Sequence, residues 1–224
     1  SLIILPISIY LLFSGGVKLN IFLLILFFLS MFEIIYNFKS IYSKLFLSLI
    51  LILAIYSVNV LANESYRSVY ILYYSILLCI SSDIGGYVFG KIIKGRKLTK
   101  ISPNKTFSGL FGSYIFSYLA LFIFNIYVLE KINDSLNVSI LFKFDEILLT
   151  FILSSVSQLG DLTISYLKRK DKIKDTGKIL PGHGGILDRL DSLMFVVIIA
   201  FFFYKSFNYF LWKKKLQFLA QLVQ

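Results

Sequence analysis

Residues 68–90 read Ser-Val-Tyr-Ile-Leu-Tyr-Tyr-Ser-Ile-Leu-Leu-Cys-Ile-Ser-Ser-Asp-Ile-Gly-Gly-Tyr-Val-Phe-Gly, an apolar run broken by one carboxylate, Asp83. Lys91, Lys94, Arg96 and Lys97 follow at once. A helix that crosses a bilayer needs about 20 mostly apolar residues, and this run supplies them. It lacks the alternation in ten-residue units that marks a barrel strand. Similar stretches lie at 20–36, 44–62, 107–129, 145–167 and 191–211, with a shorter one from Leu2 to Phe13 ending at Ser14-Gly15-Gly16. The expected fold is all-α: a polytopic integral membrane helix bundle of six or seven transmembrane helices, forming a single domain over 1–224.

Composition points the same way. Of 224 residues, 58% are hydrophobic and 16% charged, with mean hydropathy +0.81. A soluble domain sits near 45–50% apolar and about 25% charged, so this chain has too little polar surface to face water all round. Cys79 is the only cysteine, which excludes an internal disulfide framework and a cysteine-based metal site. It is expected to be a small buried hydrophobe. No basic segment precedes the first apolar stretch, so no cleavable signal peptide is expected. P-loop and dinucleotide fingerprints are both missing.

Charge sets the orientation. Lys and Arg number 23 against 12 Asp and Glu, a net charge of +11. In a soluble protein this excess would suggest nucleic acid; between membrane spans it marks cytoplasmic loops. One basic cluster holds Lys91, Lys94, Arg96, Lys97, Lys100 and Lys105; the other holds Lys168, Arg169, Lys170, Lys172, Lys174, Lys178 and Arg189. Two spans separate them, so loops 91–106 and 168–190 share one side, with Lys39 and Lys44. That side is expected to be the cytoplasm, in a multi-pass protein of the inner membrane with no nucleic-acid partner. The 130–144 loop, with Glu130, Lys131, Asp134 and Lys143, then faces outward. Lys213, Lys214 and Lys215 disagree, because they follow the last span and would also lie outside.

Carboxylates inside the spans carry the chemistry. An ionised side chain in hydrocarbon is costly, so such residues generally face a cavity and serve function. Asp83 precedes Lys91 by eight residues and Asp161 precedes Lys168 by seven. At about 1.5 Å per residue both lie roughly 10–12 Å below the same membrane edge. Asp188 and Asp191, at i and i+3, share a face where the last helix begins. Four carboxylates can converge on a polar pocket open to the cytoplasm, an oxygen-only donor set suited to Mg²⁺ with phosphates completing the shell. Pairing of each Asp with Lys or Arg is the plain alternative. Between them, Pro181, Gly182, Gly184 and Gly185 allow a tight turn whose N–H groups can approach an anion, and Lys and Arg add charge-assisted bonds to phosphate. His183, the only histidine, can bind phosphate or cap the last helix.

At these residues the chain resembles the phosphatidate cytidylyltransferase (CDP-diacylglycerol synthase) family. The family pattern runs without departure through Ser165, Leu167, Lys168, Arg169, Lys174, Asp175, Gly177, Leu180, Pro181, His183, Gly184, Gly185, Asp188, Arg189 and Asp191. Asp83-Ile84-Gly85-Gly86-Tyr87 with Phe89-Gly90, Ile101 to Thr106, and Gln158-Leu159-Gly160-Asp161 are similar to the same family. Together they cover about the C-terminal two-thirds of the chain; the N-terminal spans match in hydrophobicity alone. The resemblance implies transfer of CMP from CTP to phosphatidate, giving CDP-diacylglycerol and pyrophosphate. It implies Mg²⁺ or Mn²⁺, with a second metal ion and a homodimer left open. By motif, Asp161 and Asp188 lead as metal ligands, with Asp191 and Asp83 behind them. Lys168, Arg169 and Arg189 join them as catalytic candidates. Ser102, Lys105, Lys174, Asp175, His183, Gly184 and Gly185 are expected to bind or shape the substrate site. Two alternatives remain: a related CTP-dependent polyprenol or phytol kinase, and a transporter with an anion site.

Overall fold

The structure is a computed structural model and describes residues 16–99, 101–103, 105–132, 144–177 and 184–222. Among them six helices form: α1 (Gly16–Asn37), α2 (Ile41–Asn63), α3 (Tyr66–Ile92), α4 (Phe107–Ile132), α5 (Phe144–Lys170) and α6 (Leu187–Leu222). Lys97 and Thr106 form an isolated antiparallel bridge outside the helices. Helices α1 to α5 each contain a segment long and apolar enough to cross a membrane. The 36-residue α6 contains the expected 191–211 span and runs on without a break past Lys213, Lys214 and Lys215. The Leu2–Phe13 stretch and residues 133–143 lie outside the described residues.

A continuous apolar run becomes a helix here because hydrocarbon offers no partner for a free N–H or C=O, and a helix satisfies its backbone internally. Residues such as Phe28, Leu49, Phe111 and Phe202 point outward and are exposed, as lipid-facing side chains must be. Leu47, Leu51, Leu72, Leu78, Leu153 and Val196 are fully buried and form the seam along which the helices meet. Cys79 is buried among them. This is a multi-pass membrane protein.

Local chemistry sets the helix ends. Ser65 and Ser68 form a reciprocal capping box at the start of α3. Lys94 and Gly95 take positive φ and end its C-terminal turn. The N–H of Ser40, N-cap of α2, donates to Asp171 Oδ1 at 3.2 Å. That bond joins the α1–α2 junction to the end of α5. Lys105 of the first basic loop reaches Asp161 near the same end of α5. The two basic loops therefore share one end of the bundle, as their charge pattern requires. At the opposite end Lys205 pairs with Glu64 at 2.7 Å.

The closest helix pair is α3 with α4. A Cβ on Gly112 would stand 2.5 Å from the carbonyl oxygen of Gly85, and one on Gly109 2.7 Å from that of Gly86. Small residues on both helices let the two backbones approach directly. Ser113 Oγ donates to the Ser82 carbonyl across the same contact, at 2.8 Å.

Candidate active site

The first basic loop is folded into a narrow hairpin. Leu98 N–H donates to the Lys105 carbonyl at 2.7 Å, and Phe107 N–H donates to that of Arg96 at 3.1 Å. Thr106 caps α4 by accepting from Gly109 N–H at 3.1 Å. The hairpin carries Ser102 and Lys105 over a cavity of about 330 Å³ between α3, α4 and α5. Asp83, Gly86, Gly109, Ser113, Gln158 and Asp161 also line it. Asp83 and Asp161, one on α3 and one on α5, both line this cavity. Ser82 Oγ and Gln158 Nε2 are buried at its wall with no hydrogen-bond partner among the described residues. Such groups leave a site ready for a polar ligand.

Lys105 Nζ stands 2.5 Å from Asp161 Oδ2, and Ser165 Oγ donates to the other oxygen at 3.4 Å. Asp161 thus faces the cavity already paired with a cation. Asp83 and Asp191 are each within electrostatic reach of Asp161 and of one another. This donor set is oxygen only, and its like charges repel, which suits a hard divalent ion. Among the described residues no three His, Cys, Asp or Glu side chains stand close enough together to hold a metal ion by themselves. An open set suits an ion whose shell is finished by phosphates.

Asp188 is turned elsewhere. Its Oδ1 accepts from Lys168 Nζ at 2.8 Å, and its Oδ2 accepts from the N–H groups of Thr176 at 2.9 Å and Gly185 at 3.1 Å. Burial pushes this carboxyl up, but the bonds from Lys168, Thr176 and Gly185 outweigh it and hold the pKa below the ordinary carboxylate value. Gly184, beside it, has φ +82°, and a Cβ there would come 3.1 Å from Asp188 Oδ2. Instead of four carboxylates converging, Asp83 and Asp161 share the cavity, Asp191 lies outside its lining, and Asp188 orders the loop.

Over residues 1–207 the sequence matches the cytidylyltransferase family. The chain belongs to that family. It is 46% identical over 129 residues to a phosphatidate cytidylyltransferase of Staphylococcus haemolyticus, covering 57% of this chain and 46% of that one. One from Staphylococcus aureus is 45% identical over 129 residues, with the same coverage. Another from Bacillus subtilis is 38% identical over 154 residues, covering 68% of this chain and 54% of its own. The chain spans about half the length of the curated relatives it matches.

In this cytidylyltransferase-family chain the remaining expected residues divide plainly. Arg169, Lys174, Asp175 and Arg189 are exposed around the second loop and do not line the cavity. His183, Pro181, Gly182, Lys178, Lys100 and Asn104 lie outside the described residues. Sequence reasoning missed Glu33. This side chain of α1 is fully buried, and its oxygens accept from Thr176 Oγ1 at 3.3 Å and from the N–H groups of Ile186 and Leu187, both at 2.9 Å. The signal was available, since Glu33 is a carboxylate inside the 20–36 apolar run.

Proposed function

We propose that the protein is a CTP:phosphatidate cytidylyltransferase acting in phospholipid synthesis at the cytoplasmic face of the inner membrane. The carrying observation is the polar cavity between α3, α4 and α5, holding Asp83, Asp161 and Lys105 at the end where both basic loops meet. A cavity sunk below a basic rim lets a soluble nucleoside triphosphate enter from water while a lipid's tails stay in the bilayer. Membership of the cytidylyltransferase family and the names of the relatives support the same reading.

In this reaction a phosphate oxygen of phosphatidate attacks the α-phosphorus of CTP. A new phosphoanhydride bond forms, the bond from the α-phosphorus to the bridging oxygen breaks, and its electron pair leaves with pyrophosphate. The attacking phosphate is already an anion at neutral pH, so no strong general base is needed. What the site must supply is alignment of two polyanions and charge to meet the leaving group. Lys105 and Lys168, each held by an aspartate, are cations that arriving phosphates can recruit. Ser102, Ser82 and Gln158 offer neutral donors at the cavity wall. Asp161 and Asp83, the two carboxylates that line the cavity, would hold Mg²⁺ or Mn²⁺ only with substrate phosphates completing the set, and the ion would supply Lewis-acid charge at the phosphoryl oxygens.

The test supplies purified protein with CTP, phosphatidate and Mg²⁺. The expected result is CDP-diacylglycerol and pyrophosphate in equal amounts, with Lys105→Ala raising the KM for a phosphate-bearing substrate. Ligand binding with no product would favour a transporter or binding protein instead.

A further inference from the structure

We infer that Glu33, on the N-terminal helix α1, is the positioning residue for the second basic loop and, through it, for Asp188 and Lys168. Glu33 is not among the residues that line the cavity, yet three donors from the loop converge on its two oxygens. Ile186 N–H donates to Oε1, while Leu187 N–H and Thr176 Oγ1 donate to Oε2. Leu187 opens α6, so the carboxylate caps the helix on which Asp188 and Asp191 stand.

The same residue sets the loop's depth. A Cβ on Gly177 would stand 2.5 Å from Glu33 Oε1, and one on Gly185 2.6 Å from Oε2. Those glycines leave room for the carboxylate to reach the backbone. Thr176 carries the arrangement onward: its hydroxyl donates to Glu33, and its N–H donates to Asp188. Gly185 N–H donates to the same Asp188 oxygen, one residue before the N–H groups Glu33 holds. Asp188 in turn holds Lys168. Glu33 therefore fixes Thr176 and residues 185–187, the two described ends of the loop that hold Asp188. Both its oxygens are needed as acceptors. A glutamine would turn an NH₂ group toward a backbone N–H and leave a buried donor unmet.

Hydrogen exchange and steady-state kinetics on the same purified protein test the idea. In the wild type, the amides of Ile186 and Leu187 should exchange slowly; rapid exchange there would overturn the inference whatever any variant does. Glu33→Gln should speed exchange at 186–187 and, per folded molecule, lower kcat/KM for CTP by about tenfold or more. Glu33→Asp, which keeps two acceptors on a shorter arm, should recover part of both. A purely structural Glu33 would lower the yield or the melting temperature of Glu33→Gln while leaving exchange, kcat and KM of the folded fraction unchanged, and that outcome also overturns the inference. The kinetic arm rests on the proposed CTP reaction. If the wild type makes no CDP-diacylglycerol, that reading fails, and exchange at 186–187 still decides the positioning claim.

Discussion

Asp188 shows how much one carboxylate can organise. One oxygen holds the Lys168 ammonium and the other ties two backbone N–H groups of the loop, with the side chain only 13% exposed. Its pKa is depressed in the folded state, so its stabilisation is complete above the unfolded carboxyl value of about 3.9 and is lost as pH falls through the lower folded value. The melting temperature of the wild type should therefore drop as pH is lowered below about 4, and Asp188→Asn should flatten that drop. At neutral pH the same variant should be less stable by about 1–3 kcal/mol, because its amide cannot accept on both sides. It should also lose turnover, since Lys168 is released. Thermal melts from pH 7 to pH 3 check the first point, and kinetics at pH 7 the second. A variant with the wild type's pH dependence would mean the three bonds do not hold the loop. The residue types at this site were legible in the sequence; their partners were not. Spacing gave depth along each helix, but whether Asp161 meets Asp188 or Lys105 depends on side-chain directions across elements far apart in the chain. Glu33 escaped because apolar neighbours such as Phe32, Ile34 and Ile35 dominate the reading of that stretch.

The helices themselves were the easiest features to read, because a long uninterrupted apolar run has one stable answer in lipid. Their ends were harder. Helix α6 continues past 211 because Lys and Leu are good helix formers and nothing in that stretch breaks the backbone. The glycine contact of α3 with α4 was visible as Gly85-Gly86 and Gly90, but not as a pair with Gly109 and Gly112, since pairing is a tertiary fact. It also shapes the site, because Gly86 and Gly109 form part of the cavity wall. Gly112→Ala should force the two helices apart and cost about 1–3 kcal/mol, the usual penalty of overpacking. The expected readout is a lower melting temperature in detergent and a higher KM, because Lys105 and Asp83 sit on opposite sides of the displaced contact. An unchanged melting temperature would show that the helices are not pressed together at this point.

At the level of the whole molecule, charge and chemistry favour one end. Bonds from Ser40 to Asp171 and from Lys105 to Asp161 gather three inter-helix junctions there, beside the helix ends that carry Lys91, Lys168, Arg169 and Lys170. Single cysteines placed at Lys97 and Leu136 in a Cys79→Ser background should be labelled by a membrane-impermeant reagent from opposite sides, position 97 from the cytoplasm. Labelling of both from one side would contradict the topology. This end is proposed to transfer a nucleotidyl group to a lipid phosphate. The direct measurement offers the protein phosphatidate, Mg²⁺ and CTP labelled at either the α- or the γ-phosphorus. The α-label should enter the lipid product and the γ-label should appear in pyrophosphate. Transfer of γ-label to lipid with release of CDP, or no transfer of either label, would contradict the proposal.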